Sequence, residues 1–178
     1  MRWQDLIATA RLLTIASHPN AQPLPDSLRR AVSAAYYAMF HALANSNADC
    51  LAGMPHDPLT EHAWSRSYRG LNRNSARRNL LQDRNLFSPQ VRQFADSFAQ
   101  LQDQRHRADY NPNRTFSLAQ ALYWIGRAES LSMISCKPTS TSARWTPSSP
   151  SSADVRTDRT VLLFPCQRIS PKSRAKYI

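Results

Sequence analysis

The chain has 178 residues, enough for one ordinary domain and an additional tail, and its formal net charge is +11 at pH 7. A charge of this sign and size favours an anionic partner, most often nucleic acid. With only three glycines, the sequence contains no Gly-rich phosphate loop and no dinucleotide-binding fingerprint. The three cysteines lack the spacing of a disulfide framework, and no apolar run reaches the roughly 18–20 residues of a membrane span. We therefore expect a cytoplasmic protein without a membrane partner.

The positive charge is distributed unevenly along the chain. Residues 1–136 contain 15 Arg, no Lys and 10 acidic residues, whereas residues 137–178 contain 5 Arg, 3 Lys and 2 acidic residues. Within 137–153, 12 of 17 residues are Ser, Thr or Pro. This segment cannot bury enough apolar area to offset the conformational entropy that it would lose on ordering. The composition predicts a helical domain over 1–136 and a basic tail over 137–178. This tail is either disordered or the product of a shifted reading frame. Translating the bases that encode residues 137–178 in the other two reading frames would distinguish these explanations. A frameshift predicts that one of these frames continues the helical pattern, whereas early stop codons in both would exclude a frameshift.

Apolar residues recur at the helical period through most of the first 136 positions. The clearest segment begins at Asp26, after two prolines, and continues as LRRAVSAAYYAMFHALA without Gly or Pro, which predicts a central helix. Ser88 and Ser117 are predicted N-caps of later helices. The pattern predicts an all-α fold, a four- to five-helix up-and-down bundle, with a loop over 45–59 and a loop with at most one turn of helix over 72–87. The predicted helices cover residues 3–16, about 26–44, 60–71, 89–110 and 117–135.

Polar side chains concentrate in the stretch LQDQRHRADYNPNRTF, at the end of the predicted helix over 89–110. Cleavage of RNA without a metal needs a group that positions or deprotonates the 2′-hydroxyl and a cation that stabilises the phosphorane. Within a helix, Arg105 lies one turn from Asp109, and His106 lies one turn from Tyr110. Two interpretations stay open: a site for phosphodiester chemistry, or an ion pair that holds the helix end while Tyr110 packs on the core.

A second polar edge lies on the predicted central helix, where Arg30, Ser33, Tyr37 and His41 share one side. His41 either faces the polar cluster of the helix over 89–110 or is hydrogen-bonded inside the bundle. Arg30 lies either at the rim of the same cleft or in solvent.

Two further groups of polar residues are candidate binding sites. The segment from 56 to 62 contains two histidines and two acids, but their spacing matches no closed zinc pattern, so no metal and no cofactor are expected. The predicted loop over 72–87 is rich in arginine and asparagine, and it either contacts phosphates or is simply solvated. Its relevant arginines are Arg73, Arg77 and Arg78.

The block RRAVSAAYYAMFHAL, followed about sixty residues later by LQDQRHRADYNP and then by F-x4-A-x6-AE, resembles the HEPN family (higher eukaryotes and prokaryotes nucleotide-binding). The resemblance covers roughly residues 1–135. It implies an all-α bundle of four or five helices, often dimeric, in which the R-x-x-A-D-Y helix lines a cleft at the dimer interface. Many members are ribonucleases, including toxins paired with small nucleotidyltransferases.

For this chain the resemblance implies a homodimer that binds RNA or nucleotide, with a nucleotidyltransferase antitoxin as a candidate partner. The family's ribonucleases carry an Arg and a His separated by four to six residues, but positions 110–112, which follow Arg105 at that separation, are Tyr, Asn and Pro. Whether the chain is a metal-independent endoribonuclease is therefore left open. The alternative is a non-catalytic helical interaction module whose Arg-Asp-Tyr cluster is structural. The candidate catalytic residues are Arg105, Asp109, Tyr110 and His106, and the candidate phosphate-binding residues are Arg105, Arg107, His41 and Arg30.

Overall fold

The computed structural model describes residues 2–16 and 21–135, and over these ranges the chain is all-α. The predicted fold class is thus confirmed, with one helix more than the four or five expected. A single turn of 3-10 helix, Arg84–Leu86, precedes the fifth helix. The predicted tail over 137–178, and both explanations of it, lie outside the described residues. The helices are α1 (Trp3–Leu12), α2 (Pro25–Ala52), α3 (Pro58–Gly70), α4 (Arg73–Gln82), α5 (Pro89–Tyr110) and α6 (Leu118–Ser135).

The long helix α2 is the centre of the fold, as its sequence predicts, because it packs against α1, α3, α5 and α6. Its small residues, including Ala31, Ala35 and Ala42, are completely buried, and this lets the neighbouring helices approach closely. A single hydrophobic core runs from Trp3 in α1 to Leu131 in α6. The bundle therefore presents the polar edge of α2 at a fixed position relative to α5.

Helix α2 continues through residues 45–52, where the sequence predicted a loop. Ala44, Asn47 and Ala48 are buried in this second half of the helix, which packs against α3. Tertiary packing thus outweighs the low helix propensity of Asn and Asp. The helix ends at Gly53, whose φ of 74° lies in the left-handed region that glycine tolerates best.

Helix α4 also replaces a predicted loop. The Asn72 side chain caps it by accepting hydrogen bonds from the backbone N–H groups of Asn74 and Ser75, at 3.0 and 3.2 Å. Within α4 only Ala76 and Leu80 are buried. Two apolar positions are too few to give a recognisable period, which explains why the pattern was missed.

The other helix boundaries follow local capping chemistry. Ser88 and Ser117 accept hydrogen bonds from the N–H groups of Val91 and Gln120, so both predicted N-caps are confirmed. Helix α3 starts earlier than predicted, because Asp57 is its N-cap and Thr60 completes a capping box. Among the helices described, none is both long enough and apolar enough to cross a membrane.

Candidate functional site

The last turns of α5 bring Arg105 against the polar edge of α2. The Arg105 side chain is 17% exposed, and its Nη2 donates a hydrogen bond of 2.9 Å to the Tyr37 hydroxyl. Its guanidinium carbon lies 5.5 Å from the centre of the Tyr37 ring. Its Nε lies 2.6 Å from Oδ2 of Asp109, a close ion pair without the alignment of a hydrogen bond. The predicted one-turn pair is therefore formed.

Asp109 is held in place from the opposite helix. The Ser33 hydroxyl of α2 donates a hydrogen bond to Oδ1 of Asp109, so the carboxylate joins α2 to Arg105. Two of the residues on the predicted polar edge, Ser33 and Tyr37, thus contact the α5 cluster. Of the other two, Arg30 is exposed, and His41 contacts α3 instead.

Arg29, one position before Arg30, makes the contact that the sequence interpretation missed. Its Nε donates to the Ala108 carbonyl at 2.8 Å, and its Nη2 donates to the Asn111 carbonyl at 3.1 Å. These carbonyls belong to the end of α5, where backbone acceptors have no partner within the helix. Arg29 therefore caps α5 and fixes the end on which Arg105 and Asp109 are placed.

A second arginine, Arg73 of α4, reaches the same tyrosine. Its guanidinium carbon lies 5.3 Å from the centre of the Tyr37 ring and 5.7 Å from that of Phe40, and its Nη1 lies 3.4 Å from the Tyr37 hydroxyl. Among the described residues, Arg73 has no carboxylate partner within ion-pair distance. We refer to Arg73, Arg105, Tyr37 and Asp109 as the arginine site.

The arginine site keeps a net positive charge at neutral pH, because it contains two guanidinium groups and one carboxylate. Burial acts to lower the pKa of Arg105, but the attraction of Asp109 and Tyr37 outweighs it, so its pKa is raised and the guanidinium stays charged. Directly beneath the site, burial raises the pKa of Tyr36 to about 12, although Arg73 and Arg105 act in the opposite direction. The Tyr36 hydroxyl is therefore neutral and can only exchange hydrogen bonds.

The two remaining catalytic candidates extend the arginine site towards solvent. Tyr110 is 64% exposed, so the alternative in which it packs on the core is wrong. Its ring centre lies 5.4 Å from the Arg105 guanidinium and 4.9 Å from the centre of the His106 ring. Arg107 is exposed and makes none of the contacts recorded at the arginine site among the described residues. The four catalytic candidates are thus brought together, whereas Arg30, Arg107 and His41 stand apart from them.

His41 contacts helix α3. Its Nδ1 lies 2.5 Å from the Tyr68 hydroxyl of α3, and the two rings stack at 5.8 Å, so it does not face the α5 cluster. Burial, aided by the positive charge of Arg73, lowers the pKa of His41, which keeps the ring neutral at physiological pH. The sequence could not place this residue, because its partner Tyr68 comes from another helix.

No metal-binding arrangement adds to this picture within residues 2–16 and 21–135, where no group of three or more His, Cys, Asp or Glu side chains is placed to hold an ion. Comparisons of the chain with protein families, with curated proteins and with solved structures found no match. Paired guanidinium groups next to a phenol hydroxyl form hydrogen bonds that suit a phosphate group.

The hydroxyls of Tyr36 and Tyr37 allow a matched test of the architecture of the site. The Tyr36 hydroxyl is buried and has no hydrogen-bond partner among the described residues, whereas that of Tyr37 accepts from Arg105. Tyr36→Phe is expected to leave the free energy of unfolding unchanged or raise it by up to about 1 kcal/mol, because a desolvated hydroxyl is removed. Tyr37→Phe is expected to lower it by about 1 kcal/mol. Urea denaturation measures both, and a reversed order would contradict the placement of the two rings.

Proposed function

We propose that this helical domain binds RNA or nucleotide through the arginine site, as a HEPN-type binding domain. The observation that supports this proposal is the convergence of Arg73 and Arg105 on Tyr37. Only Arg105 is paired with a carboxylate there, that of Asp109. Asp109 neutralises Arg105, so Arg73 leaves the site with a net positive charge. That uncompensated cation is what attracts an anion from solution.

Phosphate is the anion that this arrangement suits best. A guanidinium group presents several N–H donors in a plane and can bind two phosphate oxygens at once. Arg105 is already oriented by Asp109 and Tyr37, so binding costs little additional side-chain entropy. Tyr110 lies beside Arg105, exposed, where its ring can stack and its hydroxyl can donate to the same ligand.

RNA cleavage would extend this proposal. Only the resemblance to the HEPN family suggests that activity. His106 lies at the exposed edge of the site against Tyr110, and its ring would have to reach a 2′-hydroxyl beside a phosphate held by Arg105. Roles as a toxin or defence-associated ribonuclease, with a nucleotidyltransferase antitoxin and a homodimeric state, rest on the same resemblance. Product formation on a labelled RNA, compared with His106→Gln, tests cleavage separately from binding.

The second candidate function is a non-catalytic interaction module in which the polar cluster is structural. The chain of contacts from Ser33 through Asp109 and Arg105 to Tyr37 supports it, because these bonds join α2 to α5. Arg29 strengthens the same junction. The contacts of Arg73 with Tyr37 and Phe40 fit the same structural role, but they leave its charge without a carboxylate partner among the described residues, and this favours the binding function.

Arg105→Ala separates the two functions. If Arg105 holds phosphate, affinity for a labelled single-stranded RNA is expected to fall about 10- to 150-fold in fluorescence anisotropy, which corresponds to a charge-assisted hydrogen bond of about 1.5–3 kcal/mol. Arg92→Ala is the matched control, because it removes the same charge about 20 Å away along α5. Its affinity is expected to change less than about twofold.

The melting temperature and the molecular mass in solution complete this experiment. Weaker RNA binding with an unchanged melting temperature and mass supports the binding function. Full RNA affinity together with a lower melting temperature or an altered oligomeric state would instead favour the structural module.

A further inference from the structure

Three aromatic rings form a continuous stack between α3 and the middle of α2. The Trp64 and Tyr68 rings lie 5.1 Å apart with 12° between their planes, and Tyr68 stacks on His41 at 5.8 Å and 17°. Two polar contacts fix the orientation, one from Trp64 Nε1 to Asp49 Oδ1 at 2.7 Å and one between the Tyr68 hydroxyl and His41 Nδ1. We refer to Trp64, Tyr68 and His41 as the aromatic stack.

The aromatic stack is not explained by core packing. Helix α3 contributes no buried residue, and both Trp64 and Tyr68 are only partly buried. None of the three rings belongs to the hydrophobic core or to the partly buried side chains packed against it. Because Trp64 and Tyr68 are only partly buried, part of their aromatic surface remains in contact with solvent, and a base could stack there.

The aromatic stack adjoins the arginine site. Tyr37 and His41 are one turn apart on α2, about 6 Å along the helix axis. Phe40 bridges them, because its ring contacts His41 at 5.6 Å and lies beneath the Arg73 guanidinium at 5.7 Å. The arginine site and the aromatic stack are therefore connected through Phe40, which contacts a residue of each.

The charge near these two sites suits a polyanion. Residues 58–82, which contain α3 and α4, have five arginines and a single acidic residue, and the carboxylate of Asp49 lies beside Trp64. Arg77 is used in a two-bond ion pair with Asp103, whereas Arg73 remains uncompensated among the described residues. An aromatic platform beside a basic surface is the combination by which proteins hold unpaired nucleic-acid strands.

We propose that the aromatic stack is a nucleobase-binding site, which accepts an unpaired base of an RNA strand whose adjoining phosphate occupies the arginine site. The inference rests on the proposed function and narrows its ligand to single-stranded RNA of at least two nucleotides. The base stacks against the rings, which give affinity with little sequence preference because every base has a flat π-face. A base inside a duplex cannot reach such a platform, so paired RNA is excluded from it.

An oligonucleotide pair of equal charge tests the site in the unaltered full-length protein. One member is a labelled single-stranded RNA of about eight nucleotides, and the other has the same ribose-phosphate backbone without bases. The protein is expected to bind the normal strand about 5- to 150-fold more tightly, the range for stacking of one base. Equal affinity for the two strands would overturn the base site while leaving phosphate binding intact.

Substitutions of Trp64 assign the effect to the aromatic stack. Trp64→Leu is expected to lose the preference for the normal strand but to bind the strand without bases as the unaltered protein does. Trp64→Phe keeps a stacking ring and is expected to retain most of the preference. The control is Tyr123→Leu, which removes an aromatic residue that is 55% exposed on α6 and is expected to change neither affinity.

The possible outcomes distinguish this inference from the proposed function. If the unaltered protein binds neither strand, the proposed function fails and the base site fails with it. If both strands bind and Trp64→Leu keeps the full preference, only the base site fails. The normal strand is expected to quench the fluorescence of Trp64, one of four tryptophans, so quenching that is undiminished in Trp64→Leu would also contradict the base site.

Discussion

Replacing Arg73 and Arg105 together by alanine is expected to weaken the binding of single-stranded RNA by at least about 100-fold, since each phosphate contact from a charged donor contributes about 1.5–3 kcal/mol. The two guanidinium groups approach the same Tyr37 hydroxyl from different helices, so a single phosphate can contact both. Binding should also depend less on salt. The slope of the logarithm of the association constant against the logarithm of salt concentration should become shallower by about 0.7 for each phosphate charge that is no longer neutralised. Anisotropy titrations at several salt concentrations measure both quantities.

A control pair removes the same charge elsewhere. Arg84 lies just before α5 and Arg92 lies in its first turn, at the opposite end from Arg105. Arg84 forms an exposed ion pair with Asp96. Exposed pairs of this kind contribute little to stability. The combined Arg84→Ala and Arg92→Ala variant is expected to keep most of the affinity. An equal loss in both double variants would mean that the RNA binds through diffuse net charge rather than through the arginine site.

Phe98→Ala is expected to lower the free energy of unfolding by about 3–5 kcal/mol, a large part of the roughly 5–15 kcal/mol typical of a domain. The Phe98 side chain is completely buried, with its ring 5.5 Å from that of Tyr36 and 6.0 Å from that of Phe94. Truncation leaves a cavity where α5 meets α2, which the surrounding helices can close only in part. Thermal unfolding should show a melting temperature about 10 °C lower or more.

Tyr123→Ala is the comparison for this core variant. Tyr123 is 55% exposed, and its loss is expected to change the free energy of unfolding by less than about 0.5 kcal/mol. Similar melting temperatures for Phe98→Ala and Tyr123→Ala would show that the α2–α5 contact does not hold the fold together. Because that contact positions Tyr36 and Tyr37, the same measurement also tests the support of the arginine site.

Asp109 has two functions in the arginine site. It holds Arg105 by charge and is itself held by Ser33, which stabilises the junction of α2 and α5. It also cancels the charge of Arg105, so attraction of an anion depends on Arg73. The stability of the junction and the affinity for phosphate are therefore expected to respond to different substitutions, the first to Asp109 and the second to Arg73.

The sequence by itself determined the features that depend on local geometry. The helical period and the caps at Ser88 and Ser117 predicted the starts of α5 and α6, because a cap bonds to amides two or three residues away. The pairing of Arg105 with Asp109 followed from the same reasoning, since one helical turn brings such side chains together. These interactions are complete within one segment of chain and need no knowledge of its neighbours.

Only the tertiary structure decided which helices meet and which side chains face each other across them. Residues 45–52 are helical because α3 packs against them, and α4 forms around only two buried residues, so neither showed a clear pattern. Arg29 rather than Arg30 caps α5, since a shift of one residue turns a side chain about 100° around the helix. Arg73 reaches Tyr37, and His41 meets Tyr68, through the packing of separate helices. The orientation of one helix against another depends on the whole core, and this is why the arginine site and the aromatic stack could not be read from the sequence.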